Sequence, residues 1–270
     1  MKRLSALVLA LALSGLAFAQ TPAAVPANPR LKLATTTSTE QSGLLAYMLP
    51  VFEKESGYKV EVIAVGTGAS LKIGEKGDCD VVIVHARALE DAFMAGGFGA
   101  DRRDLMYNDF IILGPESDPA GVGRTKTAFE AFSAIAKAEA SFISRGDKSG
   151  TDVKEKDIWK AVGLAPKGAW YKEAGQGMSQ CIMMADQMGG YTLSDRATWL
   201  AMKDKFKLEI LSEGDKLYFN PYGVITVNPL KWPQSNYAGA VALMNWLTSA
   251  EGRKLIADYK IGGEQCFYLY

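Results

Sequence analysis

The sequence has few of the residues that enzymes and metal sites use most. Its 270 residues include one histidine, His85, and three cysteines, Cys79, Cys181 and Cys266. A single histidine excludes an HExxH zinc motif, and the cysteine spacing matches no metal motif. We interpret His85, which follows an apolar segment, as a packed residue. The cysteines allow one disulfide but are interpreted as isolated, partly buried thiols, and we expect neither a metal nor a cofactor.

An excess of charge of either sign is also absent. The chain has 30 basic and 30 acidic residues, so neither a nucleic acid nor an anionic membrane surface is an expected partner. A hydrophobic content of 48% against 22% charged residues is typical of a globular protein that buries a core. The length is sufficient for two lobes or one large domain.

The first 30 residues differ in composition from the rest. Lys2 and Arg3 precede an apolar segment, and Ala17-Phe18-Ala19 is an A-x-A cleavage signal. The apolar run is too short to predict a membrane span, and no cysteine follows it that would carry a lipid. We therefore predict a signal peptide over residues 1–19, a Pro/Ala-rich linker over residues 20–30, and export from the cytoplasm.

Strands and helices alternate after residue 30. The segments LKLAT, YKVEVIAVG and CDVVIVHA have the composition of strands and are separated by helical patterns. This order predicts a parallel sheet with helices on its faces. Residues 39–55 are predicted as one helix with a kink at Pro50, and residues 236–259 as one long closing helix.

Two long extended segments, near 106–113 and near 217–227, enclose a middle block of the size of a domain. We predict two α/β lobes with a cleft between them. Lobe I would comprise residues 31–112 and 223–270, and lobe II residues 113–222. The two extended segments would then form a two-strand hinge.

Four strand-to-helix turns are rich in Gly, Ser and Thr. In an open parallel sheet, ligands bind at the carboxyl ends of the strands, where helix N-termini offer unpaired N–H groups. Hydroxyl groups donate hydrogen bonds without adding charge, and Arg145 adds a permanent positive charge. Together the turns predict a site for a small anion. They are ATTTSTEQ (34–41), VGTGASLK (65–72), ISRGDKSGTD (143–152) and GQGMSQ (175–180).

Helix capping explains each turn when it is taken alone. Ser38 and Gln41 have the spacing of a capping box, so we predict that the first helix starts at Ser38 or Thr39. Asp152 and Glu155 have the acidic spacing that suits a helix start. With Asp147, these two carboxylates are interpreted as solvated or capping groups.

The enzyme motifs that come nearest are incomplete. GTGASL has Leu71 where GxGxxG requires a glycine, and GDKSGT does not match GxxxxGK[ST]. Ser149 has no evident His and Asp partners for nucleophilic catalysis. We therefore expect a protein that is not an enzyme.

Eight longer blocks of the sequence occur in order from about residue 31 to the C-terminus. They are ATTTSTEQSGLL, GYKVEVIAVGTGASL, DVVIVHA, RRDLMYNDFIILGPESDPAG, SRGDKSGT, WYKEAGQGM, YTLSDRATWLAMK and FNPYGVITVNP. These blocks resemble the tungstate-binding periplasmic components of ABC transporters, the TupA-like family.

The resemblance implies a type II periplasmic-binding-protein fold, in which two α/β lobes close on the ligand. It also implies tungstate or molybdate as ligand and a membrane permease as partner, and we expect a monomer. Arg145 is expected to tune selectivity between oxyanions. Carried over from the family, the ligand-binding residues are Thr36, Thr37, Ser38, Ser70, Arg145, Ser149 and Thr151.

The sequence departs from the family pattern at one position of the site. Asp152 stands where the family commonly has histidine. A carboxylate facing a dianion would repel it, so we expect Asp152 to point away and to cap its helix.

Several functions remain open at this point. Molybdate, sulfate or phosphate would be an alternative ligand. Protonated phosphate would favour a carboxylate that points into the site and accepts its proton. Tungstate carries no proton at neutral pH and needs only hydrogen-bond donors. A sensor subunit with the same lobes is a second alternative. A secreted phosphoryl- or acyl-transfer enzyme is a third, and it lacks a nucleophile–base pair.

Overall fold

The computed structural model describes residues 26–270. The predicted signal peptide and most of the linker lie outside these described residues. Within residues 26–270, no helix combines the length and the apolar character needed to cross a membrane.

The described residues contain a large mixed sheet and a small hairpin. The sheet strands are β1 (Arg30–Thr36), β2 (Lys59–Val65), β3 (Val81–Val84), β4 (Gly99–Pro115), β5 (Phe142–Ser144), β6 (Tyr171–Glu173), β7 (Tyr191–Asp195), β8 (Leu208–Ser212) and β9 (Phe219–Val227). The hairpin strands are β10 (Lys260–Ile261) and β11 (Glu264–Gln265).

Ten α-helices connect and cover these strands in the part of the chain that the structure describes. They are α1 (Thr37–Gln41), α2 (Leu44–Ser56), α3 (Thr67–Glu75), α4 (Arg87–Ala95), α5 (Ala128–Lys137), α6 (Gly150–Ala161), α7 (Met178–Met188), α8 (Arg196–Leu200), α9 (Tyr237–Leu247) and α10 (Ala250–Asp258).

The sheet order is β2-β1-β3-β9-β4-β7-β5-β6, with β8 paired to the end of β4. Strands β1, β2 and β3 pair in parallel, and so do β5, β6 and β7. Strands β4 and β9 pair antiparallel to each other and to their other neighbours. We call β2, β1, β3 and β9 the first half of the sheet, and β7, β5, β6 and β8 the second half.

Strand β4 belongs to both halves. Its residues 99–109 pair with β9, and its residues 110–115 pair with β7 and β8. The predicted extended segments are thus adjacent strands at the junction, where a two-strand hinge was expected. The hinge motion and the lobe boundaries stay predictions.

Alternate residues of the strands pack on opposite faces of the sheet, as the period of two requires. In β3, Val81 and Ile83 contact the helices on one face, and Val82 and Val84 contact those on the other. The predicted sheet with helices on both faces is therefore confirmed for the first half. In the second half, Phe110 and Ile111 of β4 likewise face two different apolar clusters.

Two helices that were predicted as continuous are interrupted. The first breaks at Gly43, whose φ of +80° favours glycine, so that α1 and α2 are separate helices. The closing helix breaks at Ser249, whose hydroxyl accepts a hydrogen bond from the Gly252 amide and caps α10. At Gly43 the helical hydrogen bonding is interrupted by a turn, and at Ser249 it is interrupted by the side-chain cap.

The cysteines are unpaired thiols, as expected, but their burial is complete. Cys79, Cys181 and Cys266 are all free and buried. Burial raises the pKa of the Cys79 thiol to about 12, so this thiol stays protonated and unreactive at neutral pH.

Candidate functional site

Turns from the two halves of the sheet meet at Gly150. A methyl group on Gly150 would lie 2.9 Å from Cε1 of His85 and 3.0 Å from Oγ1 of Thr67. Gly150 opens α6, which follows β5, whereas Thr67 opens α3 and His85 follows β3. Three strand-to-helix junctions are therefore in contact.

The hydroxyl run forms one wall of this junction. Thr36 is the N-cap of α1, and its Oγ1 accepts a hydrogen bond from the Thr39 amide at 3.2 Å. Its Oγ1 also lies 2.6 Å from Thr39 Oγ1 and 3.2 Å from Ser38 Oγ. The prediction that the helix starts at Ser38 or Thr39 is wrong, because α1 begins at Thr37 and both residues lie within it. Thr36 is able to cap because its backbone is still extended.

The GTGAS turn offers a different hydroxyl from the one predicted. Ser70 Oγ donates to the Thr35 carbonyl at 2.6 Å, so its proton is already used by the backbone. Thr67 Oγ1 is buried and has no hydrogen-bond partner among the described residues. Sequence reasoning missed Thr67, although an extra hydroxyl at the first position of a helix was the available signal.

Arg145 lies in the third turn with part of its guanidinium unpaired. The residue is 5% exposed, its Nη2 donates to Asp147 Oδ2 at 2.6 Å, and its Nε has no partner within residues 26–270. Burial alone would raise the pKa of Asp147, but hydrogen bonds from Ser149 and the charge of Arg145 hold it below its ordinary value. Asp147 is therefore ionised and orients the guanidinium.

Ser149, and not Asp152, caps the helix that follows the third turn. Ser149 is the N-cap of α6, and its Oγ accepts from the Asp152 amide at 3.3 Å. The Asp152 carboxylate accepts from the Gly146 and Lys148 amides, each at 3.0 Å, and pairs with Lys156. The Asp152 carboxylate is bound to its own loop, so the prediction that it caps the helix is wrong.

Two carboxylates that were interpreted as solvated or capping are buried. Asp152 and Glu155 are each 1% exposed. Glu155 accepts hydrogen bonds from Trp159 Nε1 at 3.1 Å and from the Tyr171 hydroxyl at 2.7 Å. Burial raises the pKa of Glu155 to about 7, against the opposing effect of these donors. The interpretation failed because Tyr171, which helps to bury Glu155, is distant in sequence.

His85 is buried, as predicted. Its position next to the hydroxyls of the candidate site was not predicted. Its ring stacks on Tyr222 with the ring centroids 4.7 Å apart. Its Nδ1 lies 2.9 Å from Asn220 Oδ1, and its Nε2 lies 3.4 Å from Ser38 Oγ. Burial lowers the pKa of His85, although the charge of Asp195 and the Asn220 hydrogen bond oppose this effect.

The junction of the three turns is rich in buried donors. Thr67 Oγ1, Arg145 Nε and Thr151 Oγ1 are buried without partners in the described part of the chain. The nearby carboxylates of Asp147 and Asp152 are bound to their own loop. Within residues 26–270, no group of His, Cys, Asp and Glu side chains is suited to hold a metal ion. This arrangement has the chemistry to hold a small oxyanion by hydrogen bonds.

The fourth predicted turn precedes α7, which begins at Met178 after the N-cap Gly177. The Arg145 charge lowers the pKa of the nearby Cys181 thiol, but burial has the larger effect and raises that pKa to about 11. The fourth turn is therefore close to the Arg145 loop and adds no unpartnered side-chain donor in the described chain.

Comparison with known proteins gives consistent results. A family model described as a PBP superfamily domain matches residues 23–251. A putative ABC transporter anion-binding protein of Haloferax volcanii is 49% identical over 88% of this chain and 71% of its own. The tungstate-binding protein TupA of Peptoclostridium acidaminophilum is 44% identical over 96% of this chain and 94% of its own.

A solved structure is similar as well. The structure titled as the tungstate ABC transporter from Geobacter sulfurreducens is 57% identical, with a TM-score of 0.80, and the match covers 85% of this chain and 98% of that one. The names of these three relatives describe anion or tungstate binding or an ABC transporter. The chain therefore belongs to the PBP superfamily, in the family that includes the TupA proteins.

Proposed function

We propose that this protein captures tungstate outside the cytoplasm and delivers it to an ABC permease. The observation that carries the proposal is the set of three buried donors without partners on turns that meet at Gly150. Each such donor costs about 1–3 kcal/mol when it is left unpaired. A bound oxyanion would satisfy all three.

The site chemistry favours an anion that carries no proton. Tungstate at neutral pH has only acceptor oxygens, so it needs donors and is repelled by carboxylates. Arg145 supplies a charge-assisted donor, and the N-termini of α3 and α6 supply amide donors and partial positive charge. The Asp147 and Asp152 carboxylates accept hydrogen bonds from the backbone amides of their own loop, so both are engaged by the protein itself and neither is needed as the partner of a protonated anion.

The proposed ligand set follows the prediction and adds one residue. Ser70 would act by holding the Thr35 carbonyl, while Thr67 would supply the hydroxyl of that turn. Molybdate has the same charge and shape as tungstate and is the nearest alternative ligand. The proposed set is Thr36, Thr37, Ser38, Thr67, Ser70, Arg145, Ser149 and Thr151.

The remaining parts of the proposal concern transport. We infer export by the signal peptide over residues 1–19, a monomeric protein in the periplasm, and closure of the two lobes about β4 and β9. The contact of Gly150 with His85 and Thr67 supports closure, because it joins turns of opposite halves of the sheet.

Calorimetric titration of the purified protein with tungstate, molybdate, sulfate and phosphate tests the function. We expect sub-micromolar binding of tungstate, which corresponds to more than ~8 kcal/mol, and much weaker binding of sulfate and phosphate. The absence of heat with all four oxyanions would overturn the proposal.

A further inference from the structure

Four side chains form a continuous hydrogen-bonded chain from the strand junction to the hydroxyl wall. Asn108 of β4 accepts from Asn220 Nδ2 of β9 at 2.6 Å. Asn220 Oδ1 lies 2.9 Å from His85 Nδ1, and His85 Nε2 lies 3.4 Å from Ser38 Oγ. All four residues are at least nine-tenths buried, so water does not compete with these bonds in this conformation.

The amide of Asn220 fixes which nitrogen of His85 carries the proton. The Asn220 nitrogen donates to Asn108, so the Asn220 oxygen faces the ring. An amide oxygen only accepts hydrogen bonds, and therefore Nδ1 must be the protonated nitrogen. In a neutral ring Nε2 is then an acceptor, and the Ser38 hydroxyl donates to it.

This direction is unfavourable for a dianion at the wall. When the Ser38 proton is used by His85, Ser38 Oγ offers only lone pairs to other partners. Along the same wall, Thr36 Oγ1 lies 3.2 Å from Ser38 Oγ and 2.6 Å from Thr39 Oγ1. The direction in which Ser38 donates its proton therefore affects the orientation of the Thr36 and Thr39 hydroxyls as well. A fully ionised oxyanion needs the opposite arrangement, in which Ser38 donates.

We propose that His85 is the positioning residue of the anion site and that oxyanion binding reverses this hydrogen-bonded chain. In the reversed chain Nε2 carries the proton and donates to Ser38 Oγ, and the Ser38 hydroxyl donates to the anion. The inference rests on the proposed function. It deepens that function by naming a residue that orients a ligand-binding hydroxyl without touching the ligand.

The reversal conserves protons and leaves the ring neutral. The ring loses one proton at Nδ1 to water and gains one at Nε2 from water while the cleft is open. The Asn220 amide turns over so that its nitrogen donates to Nδ1. The Asn108 amide also turns, and its nitrogen, which is buried without a partner in the described chain, then donates to Asn220 Oδ1.

The surroundings of His85 favour a change of tautomer over a change of charge. Burial and the positive charge of Arg145 both lower the pKa of His85, while Asp195 and Asn220 raise it, and the balance lies below the ordinary value. Phe110 and Tyr222 pack against the ring, so apolar surfaces further disfavour an imidazolium.

NMR of the single histidine tests the inference without ambiguity of assignment, provided that any affinity tag is removed. Ring nitrogen shifts and their couplings to the ring protons distinguish the Nδ1–H, Nε2–H and charged forms. We expect Nδ1–H in the free protein and Nε2–H after saturation with tungstate. The same ring form in both states, or a charged ring in the complex, overturns the inference.

Calorimetry on the same sample separates the two proposals. Tungstate binding without a tautomer change leaves the proposed function intact and removes only the role of His85. Absence of tungstate binding contradicts the proposed function itself, and the role inferred for His85 fails with it.

Two substitutions at His85 give an independent readout. The amide of His85→Gln retains a group that donates to Ser38, whereas His85→Met retains the length but no donor. We expect His85→Met to weaken tungstate binding about five- to tenfold more than His85→Gln, as for one lost hydrogen bond. Equal loss in both variants, with thermal unfolding confirming that both are folded, would assign His85 a packing role only.

Discussion

At the scale of single residues, Arg145 is the donor that would contribute charge to the proposed site. Its Nη2 donates to Asp147, and its Nε has no hydrogen-bond partner among residues 26–270. We expect Arg145→Ala to weaken tungstate binding by about 2–5 kcal/mol, because one member of a buried charged contact is removed and Asp147 is left without its partner. Arg145→Lys keeps the charge but not the planar guanidinium, so its affinity for tungstate should lie between those of the parent protein and Arg145→Ala. Calorimetry measures both, and an unchanged affinity in Arg145→Ala would place this residue outside the site.

The hydroxyls of Thr67 and Ser70 should have separable effects. Thr67→Val removes a buried hydroxyl without a partner in the described chain, so it should lower the affinity for tungstate without lowering the free energy of unfolding of the free protein. Ser70→Ala removes the donor to the Thr35 carbonyl and should lower the free energy of unfolding by about 1 kcal/mol. Titration and urea unfolding of both variants check the assignment. The reverse pattern would indicate that Ser70, and not Thr67, binds the ligand.

At the residue level, the sequence allowed candidates to be selected where residue type alone carries the chemistry. Arg145 and the hydroxyls after β1 could be selected because strand-to-helix turns are the expected ligand position. Thr67 could not be preferred over Ser70, and His85 could not be selected, because their significance depends on which neighbouring atoms already have partners. Ser70 and Thr67 are equivalent in sequence, and only the carbonyl of Thr35 distinguishes them.

At the scale of elements, α6 contains a buried carboxylate that makes stability depend on pH. The folded-state pKa of Glu155 is about 7 against an ordinary value of 4.5, so the folded protein holds a proton that the unfolded chain loses between these pH values. Stability from this group is therefore lost as pH rises from about 4.5 to about 7. The difference between the two pKa values corresponds to roughly 3 kcal/mol in the free energy of unfolding.

Glu155→Gln should remove this dependence while an amide oxygen still accepts from Trp159 and Tyr171. We expect the variant to be more stable than the parent protein at pH 8, by roughly 2–3 kcal/mol, and to differ much less at pH 5. Urea unfolding at the two pH values measures the effect. A difference that is the same at both would show that Glu155 does not titrate as described.

Element boundaries were less predictable than element types. Strand β4 begins at Gly99 and continues through Asp101, Arg102 and Arg103, although a charged run does not resemble a strand. Arg102 is accommodated there because it pairs with the buried Glu90 at 2.7 Å. Glu90 lies in α4, and the sequence pattern alone does not indicate that the two residues form a pair. The short strands β6 and β8 were missed for the related reason that pairing, not composition, defines them.

At the scale of the whole molecule, the proposed closure would bring α6 against the first half of the sheet. The backbone of Gly150 is helical, so α6 tolerates an alanine there, but the added methyl group would approach His85 and Thr67 to 2.9 and 3.0 Å. We expect Gly150→Ala to weaken tungstate binding by about 1–3 kcal/mol, the usual cost of overpacking, with little change in the stability of the free protein.

Gly68→Ala is the matched control for that substitution. Gly68 also lies in the first turn of a helix, and a methyl group there would meet nothing within 4 Å. Small-angle X-ray scattering should show compaction on tungstate addition for Gly68→Ala and a reduced change for Gly150→Ala. Identical behaviour of the two variants would mean that the Gly150 contact does not belong to the closed, ligand-bound state.

The overall architecture was predictable because it follows from the order of elements. Alternating strands and helices indicate parallel pairing, and two long extended segments around a middle block indicated the junction now formed by β4 and β9. The antiparallel insertion of β9 between β3 and β4 was not predictable in the same way, because strand order depends on contacts between the two ends of the chain.

The position of tungsten in a crystal of the complex tests the central claim most directly. Anomalous diffraction at a tungsten absorption edge locates the metal independently of the protein phases. We predict one strong peak between the turns that meet at Gly150, with oxygens of the anion bound by Thr67 Oγ1, Arg145 Nε and Thr151 Oγ1. A peak elsewhere on the protein, with these three atoms still unpaired, would contradict the account.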